Sequence, residues 1–172
     1  MAAESPLFLK TALRALGHAE LALGRWPEAT AAFERMAEVA RDIGFSADVA
    51  DAFDGLATVA LARGNLTLAK AHIENLLLSA SMNPGVQGQV SDTFGGVLSH
   101  DNLLTIHKVL ACERDPRAEA ALEEAHAALM VAADAITDTT LRRGFLANFP
   151  EHREIVALWA QRQSGAGRTA RS

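Results

Sequence analysis

The chain has 172 residues, of which 49% are hydrophobic, 22% are charged and only 5% are aromatic, and its net charge is −5 at neutral pH. This length suits one domain with a substantial core, and an apolar fraction made mainly of alanine and leucine favours an all-α fold. Because a nucleic-acid-binding surface is normally a basic face, and the lysines and arginines here are scattered, the composition argues against nucleic-acid binding by this chain.

The cysteine content and the hydropathy pattern bear on the cellular compartment. Cys112 is the only cysteine, so no disulfide can form within the chain, which fits a reducing compartment. The sequence has no apolar run of about 18 residues, and its first twenty residues lack a basic segment followed by an uninterrupted apolar core. We therefore expect a cytoplasmic protein that does not span a membrane.

The first predicted element is a helical hairpin over residues 6–43. Its first half carries a stripe at helical spacing, formed by Leu13, Leu16 and Gly17. Its second half carries another stripe, formed by Ala29, Phe33 and Met36. Gly24 suits the left-handed position that ends a helix, and Pro27 suits the first turn of the next one. The small side chains at Gly17 and Ala29 predict that the two helices approach closely.

The second predicted element repeats the first one forty residues later. The stretch ALARGNLTLAKAHIENL, residues 60–76, aligns without a gap on ELALGRWPEATAAFERM, residues 20–36. The identical pairs include Leu21 with Leu61, Ala22 with Ala62, Gly24 with Gly64 and Ala29 with Ala69. We therefore predict a second hairpin over residues 47–80 with its turn at Gly64. A hairpin is repeated because one copy cannot bury both of its faces, whereas stacked copies share a core.

A third and looser hairpin is predicted over residues 101–136. Its turn lies at Arg114, Asp115 and Pro116, where the aspartate is a good N-cap for the second helix. Residues 81–100, which separate this hairpin from the second one, are rich in glycine, serine and asparagine, and we predict a loop insertion there.

The predicted elements end with two capping helices over residues 138–163, which would cover the last hairpin. Residues 164–172 have no apolar period, and we expect a disordered tail. The predicted fold is thus all-α: a short right-handed α-solenoid of three hairpins closed by a helix pair. Its first face has no cap in this sequence, so it would dock on further repeats or form a homodimer through Leu9 and Leu13.

The repeated hairpin resembles the tetratricopeptide repeat. In the first copy, the consensus positions are occupied by Leu16, Gly17, Gly24, Trp26, Ala29 and Phe33. In the second copy, they are occupied by Leu56, Ala57, Gly64, Leu66, Ala69 and Ile73. The period of forty residues exceeds the usual 34, which indicates longer helices. The resemblance implies that Trp26 packs between the two helices of its hairpin.

The segment over residues 108–159 narrows this resemblance. The motifs that carry it are Asp115–Ala118, Leu141–Arg142, Phe145–Leu146 and Pro150–Arg153. They resemble the closing region of large bacterial STAND-type regulators, which join a nucleotide cyclase or DNA-binding head and a P-loop ATPase to a tetratricopeptide-like tail. The resemblance implies a helical sensor or scaffold tail. The chain has no GxxxxGK[ST] stretch, so it carries no Walker-type phosphate loop.

The candidate binding surface is the concave groove of the predicted solenoid. First-helix residues outside the packing stripes would line it, and these are Arg14, His18, Leu21, Asp54, Thr58, Leu61 and His107. The set has mixed charge and lacks the paired lysine and asparagine pattern with which chaperone-binding repeats hold a terminal carboxylate. An ordinary solvated surface is the alternative interpretation of these seven residues.

Two groups of residues invite a catalytic or metal-binding interpretation. His100, Asp101 and His107 lie within eight residues, but zinc sites usually have tighter spacing and further ligands, so we interpret them as solvated polar positions. Cys112 lies near a helix end beside Glu113, which disfavours a thiolate and therefore a nucleophile. We predict no catalytic residue, no metal and no cofactor.

The sequence thus favours a non-catalytic module that binds a protein partner, a neighbouring domain or a small effector, as the tail of a bacterial signalling regulator. The alternative is a fragment of a multidomain nucleotide cyclase or ATPase whose catalytic head is missing from this chain. A structural scaffold without a ligand is a third interpretation. The repeat fold does not choose between these functions.

Overall fold

The computed structural model describes residues 5–82 and 91–169, and these residues confirm the all-α class. The helices are α1 (Pro6–Ala22), α2 (Trp26–Asp42), α3 (Ser46–Ala62), α4 (Leu66–Ser81), α5 (His100–Cys112), α6 (Arg117–Asp134), α7 (Thr139–Asn148) and α8 (Pro150–Thr169). None of these helices combines the length and the apolar character that a membrane crossing requires.

The chain divides into two compact units, Met1–Leu98 and Ser99–Ser172, which we call the N-terminal unit and the C-terminal unit. The N-terminal unit holds the hairpins α1–α2 and α3–α4, and the C-terminal unit holds α5–α6 and α7–α8. The solenoid of three stacked hairpins stays a prediction.

Within the N-terminal unit, α3 packs against α2 and α4 and also touches α1. The sequence repeat is matched by a repeated turn, because Gly24 and Gly64 both have φ of +70° and follow their helices at the same position. This left-handed backbone favours glycine, whose missing side chain removes the steric conflict. At the second turn, the side chain of Asn65 accepts a hydrogen bond from the backbone N–H of Leu68 and so caps α4.

Phe33 is the centre of the core of the N-terminal unit. Its side chain is fully buried, in a cluster with Met36, Leu56 and neighbouring apolar residues. Glycines face the ring from two other helices: a Cβ at Gly17 of α1 would lie 2.6 Å from it, and a Cβ at Gly55 of α3 would lie 2.5 Å from it. The ring therefore fills space that only glycine leaves open.

Two side chains at consensus positions of the first hairpin, Trp26 and Leu16, are more exposed than the resemblance implies. Trp26 begins α2 with 39% of its surface exposed, so it is not enclosed between the helices of its hairpin. Leu16 is also about half exposed. The close contact between α1 and α2 is made instead by the ring of Phe33 against Gly17.

The predicted loop over 81–100 lies partly outside the described residues, because 83–90 are not among them. Residues 91–98 form an irregular segment in which the backbone N–H of Ser91 donates to the carbonyl of Gly96. Gly96 has φ of +81°, and a Cβ there would lie 2.7 Å from the backbone carbon of Ala80. The backbone of this segment at Gly96 therefore packs directly against the last turn of α4.

Within the C-terminal unit, α8 packs against α5, α6 and α7. Ile155 of α8 is fully buried, and the Lys108 ammonium group of α5 binds the Glu154 carboxylate at 2.6 Å. Helix α8 continues to Thr169, so the predicted disordered tail over 164–172 is corrected for residues 164–169. Residues 170–172 lie outside the described part of the chain.

The turn between α5 and α6 uses the same backbone geometry as the two repeat turns, but without glycine. Arg114 has φ of +58°, and its N–H donates to the carbonyl of Ala111, just as the N–H of Gly24 donates to the carbonyl of Leu21. A side chain in this left-handed region costs about 1–2 kcal/mol. The third hairpin therefore keeps the turn of the repeat at an energetic cost.

Replacing Arg114 by glycine should raise the free energy of unfolding of the C-terminal unit by about 1 kcal/mol, because glycine adopts this backbone without strain. The measurement is urea denaturation in a Trp26→Phe background, where Trp159 is the single tryptophan and its fluorescence reports on the C-terminal unit. The matched control is Arg143→Gly inside α7, where glycine has no such benefit and should lower stability by about 1 kcal/mol. Equal losses at both positions would contradict the assignment.

Candidate functional site

The face of α1 that carries Arg14, one of the predicted groove residues, forms ion pairs with α3. We call these pairs the ion-pair seam. The Arg14 guanidinium lies 3.1 Å from the Asp51 carboxylate, and the Lys10 ammonium group lies 2.6 Å from the Asp48 carboxylate. These charges compensate one another within the N-terminal unit. The seam therefore offers a partner less free charge than the sequence alone indicated.

The other predicted groove residues of this unit have structural contacts. His18 is exposed, but its ring meets Phe33 edge to face with the centroids 5.2 Å apart. Leu21 is half-buried and packs against the core cluster around Phe33. The Thr58 hydroxyl donates to the carbonyl of Asp54 at 3.0 Å. Asp54, Thr58 and Leu61 are half-buried, which fits helix packing as well as a binding surface.

His107 belongs to the C-terminal unit and is buried, so the prediction that it lines the groove is corrected. Its Nδ1 lies 2.9 Å from the carbonyl oxygen of Ala118, which gives a hydrogen bond between α5 and α6. A buried imidazole needs such a partner. Sequence spacing placed His107 on the correct helix but could not assign its face, because the third hairpin departs from the repeat.

A pocket in the N-terminal unit is the better candidate for a binding site. It has a volume of about 440 Å³ and lies where the α2–α3 turn meets the first half of α3 and the end of α4. Its walls are formed by Arg41, Gly44, Phe45, Ser46, Val49, Phe53, Asn75, Leu78, Ser79 and Met82. This volume is in the range of small-molecule sites.

The pocket is lined by apolar side chains together with a few polar ones, which are Arg41, Ser46, Asn75 and Ser79. Leu78 and Met82 are 62% and 71% exposed, an unusual exposure for large apolar side chains on neighbouring turns of a helix and its cap. The Arg41 guanidinium lies over the ring of Phe53, 5.6 Å from its centroid. Among the described lining residues, Arg41 is the one with a formal charge. The pocket therefore suits an apolar group that carries an anion.

The ring of His72 on α4 packs against the ring of Phe53, with the ring centroids 6.1 Å apart. Burial lowers the pKa of His72, although the nearby Glu34 carboxylate acts in the opposite direction. The imidazole is therefore neutral at pH 7 and leaves Arg41 as the cation near this ring. The sequence pattern gave no prediction of this pocket, although large apolar residues at the end of α4 could have signalled it.

Comparison with known proteins gives no match to a family model, to a curated protein or to a solved structure.

Proposed function

We propose that this chain is a non-catalytic, effector-sensing or protein-interaction module, and that its ligand occupies the pocket between α2, α3 and α4. The observation that supports this is a largely apolar pocket of about 440 Å³ with a single guanidinium, that of Arg41, among its lining residues. The ligand chemistry that fits is an apolar body with one carboxylate or similar anion. Apolar walls with few polar groups are typical of binding sites, in which the polar groups fix the ligand's orientation.

The resemblance to tetratricopeptide-like tails supports a wider proposal, in which this module is the tail of a bacterial STAND-type signalling regulator. In such a protein, the ligand would act through the helices that frame the pocket. Since α3 contributes both to the pocket and to the packing around Phe33, occupancy would stabilise the core of the N-terminal unit.

The proposal can be tested with 8-anilinonaphthalene-1-sulfonate, an apolar fluorescent anion. Replacing Arg41 by glutamine should weaken its binding about two- to five-fold, because a partly exposed charge pair contributes up to about 1 kcal/mol. N-phenyl-1-naphthylamine has the same rings without the charge, and its affinity should not change. The measurement is a fluorescence titration of the full chain.

The matched control is Arg63→Gln, which removes an exposed arginine from the other end of α3. This variant should bind both dyes like the parent chain. If Arg41→Gln and Arg63→Gln behave alike, the anion does not bind beside Arg41 and the pocket assignment is wrong. Thermal denaturation of both variants shows whether the fold is intact, since unfolded chains bind these dyes without specificity.

A further inference from the structure

His152, at the start of α8, is held in one orientation by the residues before it. Its side chain is 6% exposed, and its Nδ1 lies 2.7 Å from the carbonyl oxygen of Phe145. The rings of Phe145 and Phe149 pack against it, with centroid distances of 4.4 Å and 4.9 Å. Because a carbonyl oxygen only accepts, Nδ1 carries the hydrogen, and the Nε2 of the neutral ring presents its lone pair.

That lone pair faces a second histidine, although 52 residues separate the two in sequence. The Nε2 of His100 at the start of α5 lies 2.9 Å from the Nε2 of His152. The Asp101 carboxylate joins them, with its Oδ1 at 3.6 Å from the Nε2 of His100. Burial lowers the pKa of His100, the Asp101 carboxylate opposes this, and His152 adds to the lowering. Three potential metal ligands thus converge within 4.8 Å of one another.

One feature of this cluster is not explained by the contacts among the described residues. The Oδ1 of Asp101 is inaccessible to solvent and accepts no hydrogen bond from them. A buried carboxylate oxygen without a donor is costly, and a bound cation is one of the usual reasons for such a group.

We propose that His100, Asp101 and His152 form a binding site for a divalent transition metal, with Zn²⁺ the ion that they suit best. Two imidazole nitrogens and one carboxylate oxygen are ligands that zinc accepts, and three protein ligands leave a fourth position open. Tetrahedral bonds of about 2.0–2.2 Å place neighbouring ligand atoms about 3.4 Å apart. Binding therefore requires His100 to carry its hydrogen on Nδ1 instead of Nε2, the two Nε2 atoms to separate slightly and the Asp101 carboxylate to move inward.

The rest of the cluster favours this arrangement. Metal-bound histidines usually donate their other N–H to a carbonyl or carboxylate, which fixes the ring, and the carbonyl of Phe145 does this for His152. His100 and Asp101 are half-buried, so they can adjust and leave the open position accessible. The metal would tie the first turn of α5 to the first turn of α8, beside the ion pair of Lys108 and Glu154. It would therefore link these two helices of the C-terminal unit and leave one coordination position for water or a ligand.

The test is a calorimetric titration of ZnCl₂ into the full, untagged chain. We expect one zinc ion per chain. In a Trp26→Phe background, where Trp159 is the single tryptophan, we also expect zinc to raise the midpoint of thermal unfolding that its fluorescence reports. His100→Gln and Asp101→Asn should each weaken zinc binding at least ten-fold, and both positions are half-buried and should tolerate the change. MgCl₂ should give no saturable binding, because magnesium prefers oxygen ligands.

The matched control is His18→Gln, which removes an exposed histidine from the N-terminal unit and should leave zinc binding unchanged. The proposal is overturned if the parent chain binds no zinc, or if His100→Gln and Asp101→Asn bind it as tightly as His18→Gln does. In that case the two imidazoles form only a hydrogen bond between α5 and α8. The dye titrations on the N-terminal unit test a different site, so either proposal can fail without the other.

Discussion

Replacing Phe33 by alanine should lower the free energy of unfolding of the N-terminal unit by about 3–5 kcal/mol. The ring is fully buried and touches helices on both sides, so its removal leaves a cavity in addition to the lost apolar burial. Gly17 and Gly55 cannot fill that cavity, because they have no side chains to reorient. The loss should therefore lie at the upper end for a single core substitution.

The measurement is urea denaturation in a Trp159→Phe background, where Trp26 becomes the single tryptophan and reports on the N-terminal unit. The control is Phe8→Ala in α1, because the side chain of Phe8 is 80% exposed and its removal should change stability by less than about 0.5 kcal/mol. A loss below about 1 kcal/mol for Phe33→Ala would contradict the position assigned to this ring.

Repetition made the N-terminal unit predictable from sequence. Gly24 and Gly64 occur at the same place in both copies and adopt the same left-handed backbone, so alignment alone located both turns. The predicted bounds of the two hairpins, 6–43 and 47–80, lie within about one residue of the helix ends in the structure. The environment of Phe33 was predicted only in part. The alignment identified Gly17 as a small residue at a helix contact. It gave no reason to select Gly55, because the equivalent position forty residues earlier is Ala15.

Side-chain environments were harder to predict than helices. Trp26 stands at a consensus position, yet it is partly exposed, whereas Phe33 on the same helix is fully buried. The histidine pair shows the limit most clearly: His100 was noticed, but it was grouped with His107 since those two are neighbours in sequence. The residue that it meets, His152, lies on another helix. A contact between distant segments of a non-repeated region leaves no spacing pattern to detect.

Replacing Gly55 by alanine should lower the stability of the N-terminal unit by about 1–3 kcal/mol, although the helical preference of alanine alone would raise it by about 1 kcal/mol. A loss of stability would therefore indicate overpacking against Phe33, and a gain would indicate that only the helical preference of alanine matters. The added Cβ would lie 2.5 Å from the ring of Phe33, and the same ring atoms already lie against Gly17 of α1, which leaves the ring little room to move. Gly144→Ala is the control, since a Cβ there would meet only the Asn148 side chain at 3.3 Å, and it should leave stability equal or higher.

A double substitution separates overpacking from a backbone effect. If the ring of Phe33 is what resists the new methyl group, Gly55→Ala should cost less in a Phe33→Leu background, where the branched side chain is smaller. The two changes should then couple by about 0.5–3 kcal/mol in a double-mutant cycle measured by urea denaturation. Strict additivity would mean that the strain lies in the backbone of α3. A coupling of the expected sign would show that the ring of Phe33 is what excludes a side chain at Gly55. The close packing of α1, α2 and α3 would then depend on this ring and on the two glycines that it contacts.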